Sequence, residues 1–178
     1  MYEIFADLHI HIGRSENGKP IKITGARSLN FANIAKECCE RKGIQVAGII
    51  DCASPYVIED IENFLKTGDA YELKDGGIIY KDKVCILLGS EVETSEKGRN
   101  GKSGSAHNVC FFPYLKDIKG FSNELAKHVK NVTLSTQRSD LSGYDLVDIV
   151  EKYNGIVIPA HIFTPHKSYY GNCTDRLK

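Results

Sequence analysis

Polar and apolar residues alternate over Phe5-Ala6-Asp7-Leu8-His9-Ile10-His11-Ile12, the pattern of a strand with one buried face. A strand is predicted from Tyr2 to His11, with Asp7, His9 and His11 on one face and Leu8, Ile10 and Ile12 on the other. Further along, Phe31, Ile34, Ala35 and Cys38 recur at helical spacing behind Asn30 as N-cap, with Gly43 as the stop. They predict a helix from Phe31 to Lys42. Ile44 to Ile50 is almost continuously apolar and reads as a strand buried on both faces, ending at Asp51-Cys52. Ser54 with Pro55 behind it starts a second helix to Lys66.

A small hairpin is expected around Asp75-Gly76-Gly77, followed by a strand from Val84 to Leu88 that leads into Gly89-Ser90-Glu91-Val92-Glu93. Ser95 to Ser105 reads as a Gly/Ser/Lys-rich loop, and His107 to Phe112 as an apolar strand. Ile118, Phe121, Leu125 and Val129 predict a helix over Asp117 to Val129, and Asn131 to Thr136 is strand-like. Ser142-x-x-Asp145 has the form of a capping box for a helix to Tyr153, with Gly155 after it. Ile156 to Ala160 is the last strand and ends at His161. Strand and helix alternate with one inserted hairpin, which predicts an α/β architecture of mostly parallel strands with surrounding helices.

The 178 residues suit a single domain. Equal numbers of basic and acidic residues, 23 each, argue against a strongly basic nucleic-acid binder while leaving room for a local basic groove. The chain has no apolar run near the ~20 residues of a membrane span and no secretory layout at its start, so no membrane partner is expected and the cytoplasm is the expected compartment. The six cysteines form no C-x-x-C pair and read as reduced thiols.

The chemistry-bearing residues gather at one kind of place. His9, His11, Asp51, Glu91 and His161 all follow apolar strands, the edge where parallel α/β folds collect ligand and catalytic sites. His107 stands at a strand's start, which implies an antiparallel strand or a different boundary. Imidazole with carboxylate suits zinc, manganese or iron; a strand with a wet face can also carry two histidines without a metal. Asp51 either ligates, holds a ligand, or caps the helix that follows. Arg14, Lys22 and Arg27 are candidates for substrate phosphate, though a solvated basic loop has the same composition. Glu93 shares the Glu91 face if the strand continues. Cys52 reads as a small buried side chain, with thiolate ligation as the lesser alternative, His128 as structural and His166 as a surface residue; Tyr169 and Tyr170 either stack on an unpaired base or pack. There is no G-x-S-x-G, and Gly98 to Gly104 lacks P-loop order, so no catalytic group beyond the metal ligands is offered.

His9-x-His11, Asp51, Gly-x-Glu91, His107 and Pro-Ala-His161 in this order resemble the polymerase and histidinol phosphatase (PHP) superfamily of metal-dependent phosphoesterases. Four longer phrases resemble its endonuclease Q branch, in the N-terminal catalytic domain: Phe-Ala-Asp-Leu-His-Ile-His-Ile-Gly-Arg, Lys-Ile-Thr-Gly-Ala-Arg-Ser-Leu, Thr-Leu-Ser-Thr-Gln-Arg and Ile-Pro-Ala-His-Ile-Phe-Thr-Pro-His-Lys-Ser. The resemblance implies a distorted barrel of parallel strands holding two or three divalent ions (zinc, manganese, magnesium or iron) on His9, His11, Asp51, Glu91, His107 and His161. It implies hydrolysis of DNA beside deaminated bases or abasic sites, in DNA repair. A small-molecule phosphatase of the same superfamily is the alternative.

Three positions depart from the pattern. Cys52 stands where many members carry a ligating histidine, the region of Asn17-Gly18 lacks a frequent acidic ligand, and Lys178 is reached without the later Asp-x-His pair. Residues 1–178 are therefore expected to be the N-terminal portion of a catalytic domain. Its remaining strands would lie in a missing C-terminal part of the same protein, and the fragment alone would be catalytically incomplete. A barrel lacking its last strands leaves edges unpaired.

Overall fold

One long strand carries the sheet. In the computed structural model, which describes residues 3–97 and 103–173, β5 runs from Val84 to Lys97. Its first half is flanked by β2 (Val46–Ile49), parallel, and by β4 (Ile78–Tyr80), antiparallel. Its second half pairs antiparallel with β6 (Ser103–Phe112), from Leu88↔Phe112 to Lys97↔Ser103. The Gly77 N–H donates to the Pro113 carbonyl at 2.8 Å, so β6 takes over where β4 ends, along the same side of β5. Outside these lie β1 (Ala6–Ile10) parallel to β2, β3 (Ala70–Glu72) antiparallel to β4, and β7 (Ile156–Pro159) antiparallel to β6.

The fold is thus α/β with one mixed sheet. Among the described strands parallel pairing is confined to β1-β2-β5, with one isolated parallel bridge between Glu93 and Arg138, and the sheet they form is open rather than closed into a barrel. Two boundaries differ from the sequence pattern for one reason. Glu91, Glu93, Thr94 and Ser105 are polar yet buried, so a period read from apolar residues ends at Leu88, whereas the β5–β6 ladder continues to Lys97 and resumes at Ser103. Residues 98–102 of the expected loop lie outside the described residues, as does Tyr2 of the expected first strand. His107 falls inside β6, and because β6 is antiparallel its early residues reach the same edge as the ends of β1 and β2.

Helices α1 (Phe31–Glu37, extended by a wider turn over Cys38–Lys42), α2 (Pro55–Lys66), α3 (Leu115–Leu125) and α4 (Gly143–Lys152) pack side by side in chain order. Asn30 caps α1 by accepting the Asn33 N–H at 2.8 Å, and Gly43 ends the turn at φ +63°. Ser142 and Asp145 form the reciprocal capping box of α4. Ser54 does not cap α2 with its side chain; its hydroxyl donates to the Thr133 carbonyl at 2.9 Å. Residues 131–136 form turns rather than the expected strand, and Ser54 fastens them to the start of α2. Phe31 of α1 packs edge-on against Phe64 of α2, which packs in turn on Tyr80 of β4, and Phe112 packs on Phe121 with ring centres 4.6 Å apart. Truncating such a ring costs about 3–5 kcal/mol.

Among the described residues no helix is long and apolar enough to cross a membrane. Of the three outer strands, β1 and β7 expose aliphatic or phenyl side chains: Phe5 and Leu8 beside or in β1, Ile156 and Ile158 in β7.

Candidate metal centre

The geometry begins with a bulge. Ala6 and Asp7 pair with Val46 and Ala47, but Ile10 pairs with Ile49, so β1 spends one residue more than β2 over the same span. A Cβ on Gly48 would lie 2.7 Å from the Leu8 carbonyl oxygen; only glycine lets the bulged backbone come this close. The bulge overturns the expected alternation. Asp7 joins Ile10 in a groove against Leu29, Ile34 and Cys38 of the α1 side, while the His9 and His11 rings stand 5.3 Å apart, both facing Glu91. Leu8, expected inside, is 45% exposed.

Glu91 is the hub. Its Oε1 lies 3.5 Å from His9 Nε2 and 3.2 Å from His107 Nδ1; its Oε2 lies 3.7 Å from His11 Nε2 and accepts the Thr136 hydroxyl at 2.8 Å. Two groups of donor atoms, each mutually within 4.8 Å, share this carboxylate: His9, His11 and Glu91, and Glu91, His107 and His161. Burial alone would raise the Glu91 carboxyl, but hydrogen bonds from His107 and Thr136 and the facing imidazoles outweigh it and hold it down to about 2. Burial pushes His9 below its ordinary value against the pull of Glu91. Glu91 is therefore ionised, the state in which a carboxylate donates to a metal, and His9 holds its proton less tightly than a free imidazole.

Asp51 stands behind His11. Its Oδ2 lies 3.0 Å from His11 Nδ1 and accepts the Ile12 N–H at 2.8 Å, so the carboxylate fixes the ring and leaves Nε2 turned toward Glu91. It does not cap α2. Asp51 Oδ1 and His107 Nε2 are buried without a hydrogen-bond partner, an arrangement that a structure tolerates where a ligand completes it. The donor set and these orphaned atoms fit a divalent cation.

The remaining candidates divide. Lys22 is near enough to His9 to lower its proton affinity. Arg14 instead donates to the Gly18 carbonyl at 2.9 Å, within its own loop. Arg27 is exposed and makes no ion pair among the described residues. Cys52 is fully buried and donates to the Ile49 carbonyl, and burial drives its thiol far up, so it belongs to the core rather than to the donor groups. His166 is exposed. The Tyr169 hydroxyl donates to Asn108 at 3.2 Å and the Tyr170 ring stacks on Phe163, so both tyrosines pack.

Four positions that sequence reasoning did not assign to the site also belong to it. The Thr136 hydroxyl holds Glu91, and Ser135 Oγ lies 3.2 Å from His11 Nδ1. Glu93 continues the Glu91 face, 3.6 Å from His107 Nε2, and Lys167 Nζ reaches Glu93 at 2.8 Å. Burial works to raise Glu93, but Lys167 and Ser105 hold it below the usual carboxylate range.

No family model matches this sequence. The chain is 48% identical over 171 residues to an uncharacterized protein of Bacillus subtilis, YqxK, covering 96% of this chain and 43% of that one. It is 26% identical over 160 residues to an uncharacterized protein of Methanocaldococcus jannaschii, covering 89% of this chain and 16% of that one. The chain thus spans less than half the length of these curated relatives. Two solved structures superpose on nearly all of it. One is endonuclease Q in complex with a 27-mer duplex substrate with an abasic lesion at the active site (TM-score 0.69, 23% identity, 93% of this chain and 36% of that one). The other is the lesion-specific endonuclease of Pyrococcus furiosus (TM-score 0.70, 22% identity, 94% and 36%). The chain has the fold of that portion of the endonuclease Q structures.

Proposed function

We propose that this chain is the catalytic part of a metal-dependent DNA phosphodiesterase of the endonuclease Q type, cutting a strand beside a deaminated base or an abasic site. The observation that carries the reading is the single carboxylate of Glu91 shared between two groups of imidazole donors. Divalent ions held there supply Lewis acidity at a phosphoryl oxygen and an activated water. The protein's own part is to assemble the donors. His9, His11 and Glu91 form one group and Glu91, His107 and His161 the other; Asp51 orients His11, and Thr136 fixes Glu91. Lys22, with Arg27 on the same loop, is available to the DNA backbone, whereas Arg14 is occupied by Gly18.

The exposed apolar residues of β1 and β7 and the small share of its relatives that the chain spans support a second element of the proposal. Further strands of a longer protein cover these edges, and residues 1–178 are the N-terminal portion of the catalytic domain.

The test is turnover on three substrates with added manganese or zinc: a duplex with one uracil, a duplex with one abasic site, and para-nitrophenyl phosphate. Cleavage at the lesion, absent from an undamaged duplex, is the expected result. Turnover of the small ester alone would overturn it in favour of a small-molecule phosphatase. Activity on none of them, regained when the longer protein is expressed, would mark the chain as an incomplete fragment.

A further inference from the structure

Resting on that reading, we infer that Lys167 is a catalytic residue of the same site, its ammonium group contacting the phosphate that is cut. The turn that carries it is built to hold this one side chain in place. Lys167 adopts φ +50°, and of the six non-glycine residues with positive φ among those described, three touch the donor cluster: Thr136, His161 and Lys167. Left-handed backbone at non-glycine residues is strained and persists where the surroundings impose it.

Here the surroundings are a dense set of hydrogen bonds. The Lys167 carbonyl accepts the His107 N–H at 2.9 Å, tying the turn to β6. The one Thr164 hydroxyl proton is shared between the carbonyls of His161 and His166, and the fully buried Ser168 donates to the Thr164 carbonyl while accepting the Gly171 N–H. The segment therefore carries His161 and Lys167 to the cluster as one unit. Lys167 Nζ lies 2.8 Å from Glu93 Oε2, and the same oxygen lies 3.6 Å from His107 Nε2.

Chemistry distinguishes this from an ordinary surface pair. Around the imidazoles stand three carboxylates, Asp51, Glu91 and Glu93, and Lys167 is the one lysine or arginine among the described residues that pairs with any of them. Its side chain is 50% exposed while that of Glu93 is 8% exposed, so the ammonium has one side on the protein and the other open to an incoming ligand. A compact ammonium on a flexible stem is a point charge for a phosphoryl oxygen, and it is worth most where charge develops at a partly desolvated site. By engaging Glu93, Lys167 also leaves Glu91 as the carboxylate shared by both donor groups.

The experiment compares wild type, Lys167→Gln and Lys167→Arg for bound metal, thermal stability, cleavage of an abasic-site duplex and the salt dependence of binding to that duplex. Lys167→Gln is expected to keep its metal and fold, lose at least tenfold in kcat/KM, and show a slope of log affinity against log salt smaller by about one. Lys167→Arg restores part of both. Unchanged cleavage and slope in Lys167→Gln would overturn the inference while the proposed function stood, as would activity lost only in proportion to metal. A metal-loaded wild type that neither binds nor cuts the duplex, even within the longer protein, would overturn both.

Discussion

Glu91 and His107 meet on a diagonal. The residue opposite His107 in the β5–β6 ladder is Glu93, two positions on, yet His107 Nδ1 lies 3.2 Å from Glu91 Oε1. Diagonal neighbours on one face of an antiparallel pair are within reach of long side chains, and this one joins His9 and His11, at the end of β1, to His107 in β6 and His161 beyond β7. Glu91→Gln keeps the size of the side chain and removes the charge that both donor groups use. It is expected to lose the metal of both groups, whereas Glu93→Gln keeps most of it. Elemental analysis of the two variants is the check, and equal losses would contradict the division of roles.

Thr136 tests positioning. Its hydroxyl is the protein's direct hold on Glu91 Oε2. Thr136→Ala is expected to weaken metal affinity about 10–100-fold, the usual effect of removing a partner that orients a ligand, with little change in thermal stability; Thr136→Ser retains the affinity. Metal titration of the three proteins distinguishes this from a purely structural role, in which alanine and serine would behave alike.

Gly48 is the counterpart of the β1 bulge. A Cβ there meets the Leu8 carbonyl oxygen, Cα and C at 2.7 to 2.9 Å, and these are backbone atoms that cannot swing aside. Gly48→Ala is expected to cost about 1–3 kcal/mol in denaturant unfolding and to weaken metal binding through His9 and His11. A variant as stable as wild type would show that the bulge does not depend on glycine.

Asp60 gives a pH dependence away from the metal. This carboxyl of α2 is buried and accepts the Glu16 N–H at 2.9 Å. Burial raises it to about 6, the Glu16 amide opposes that, and the charges of Glu16 and Glu59 add to the rise. An unfolded aspartate titrates near 3.9, so between about pH 4 and 6 the folded state holds the extra proton and stability falls as pH rises. Asp60→Asn removes this slope. Melting temperatures at pH 5 and 7.5 are expected to fall by a few degrees more in wild type than in the variant, and identical falls would refute the assignment.

Much of this site can be read from the chain, and the limits have physical causes. His9 and His11 are visible because the strand alternates, and Asp51, Glu91 and His161 because each follows an apolar run. The sharing of Glu91 is invisible, since it needs the diagonal between β5 and β6. The strand period sets Asp7 beside the histidines because a regular period cannot show a bulge, whose trace in the sequence is Gly48 inside an apolar strand. Thr136 and Lys167 owe their positions to left-handed backbone, which neither residue type announces. The open sheet, against an expected barrel, follows from pairings between distant strands that no local pattern encodes.

The central claim is that the His/Glu cluster binds metal, and the most direct measurement is elemental analysis of the purified 178-residue chain beside His9→Ala/His11→Ala. Wild type is expected to hold two or more equivalents of zinc, manganese or iron, and the double variant to lose them while remaining folded. A folded wild type that takes up no metal, even after incubation with manganese or zinc, would contradict it.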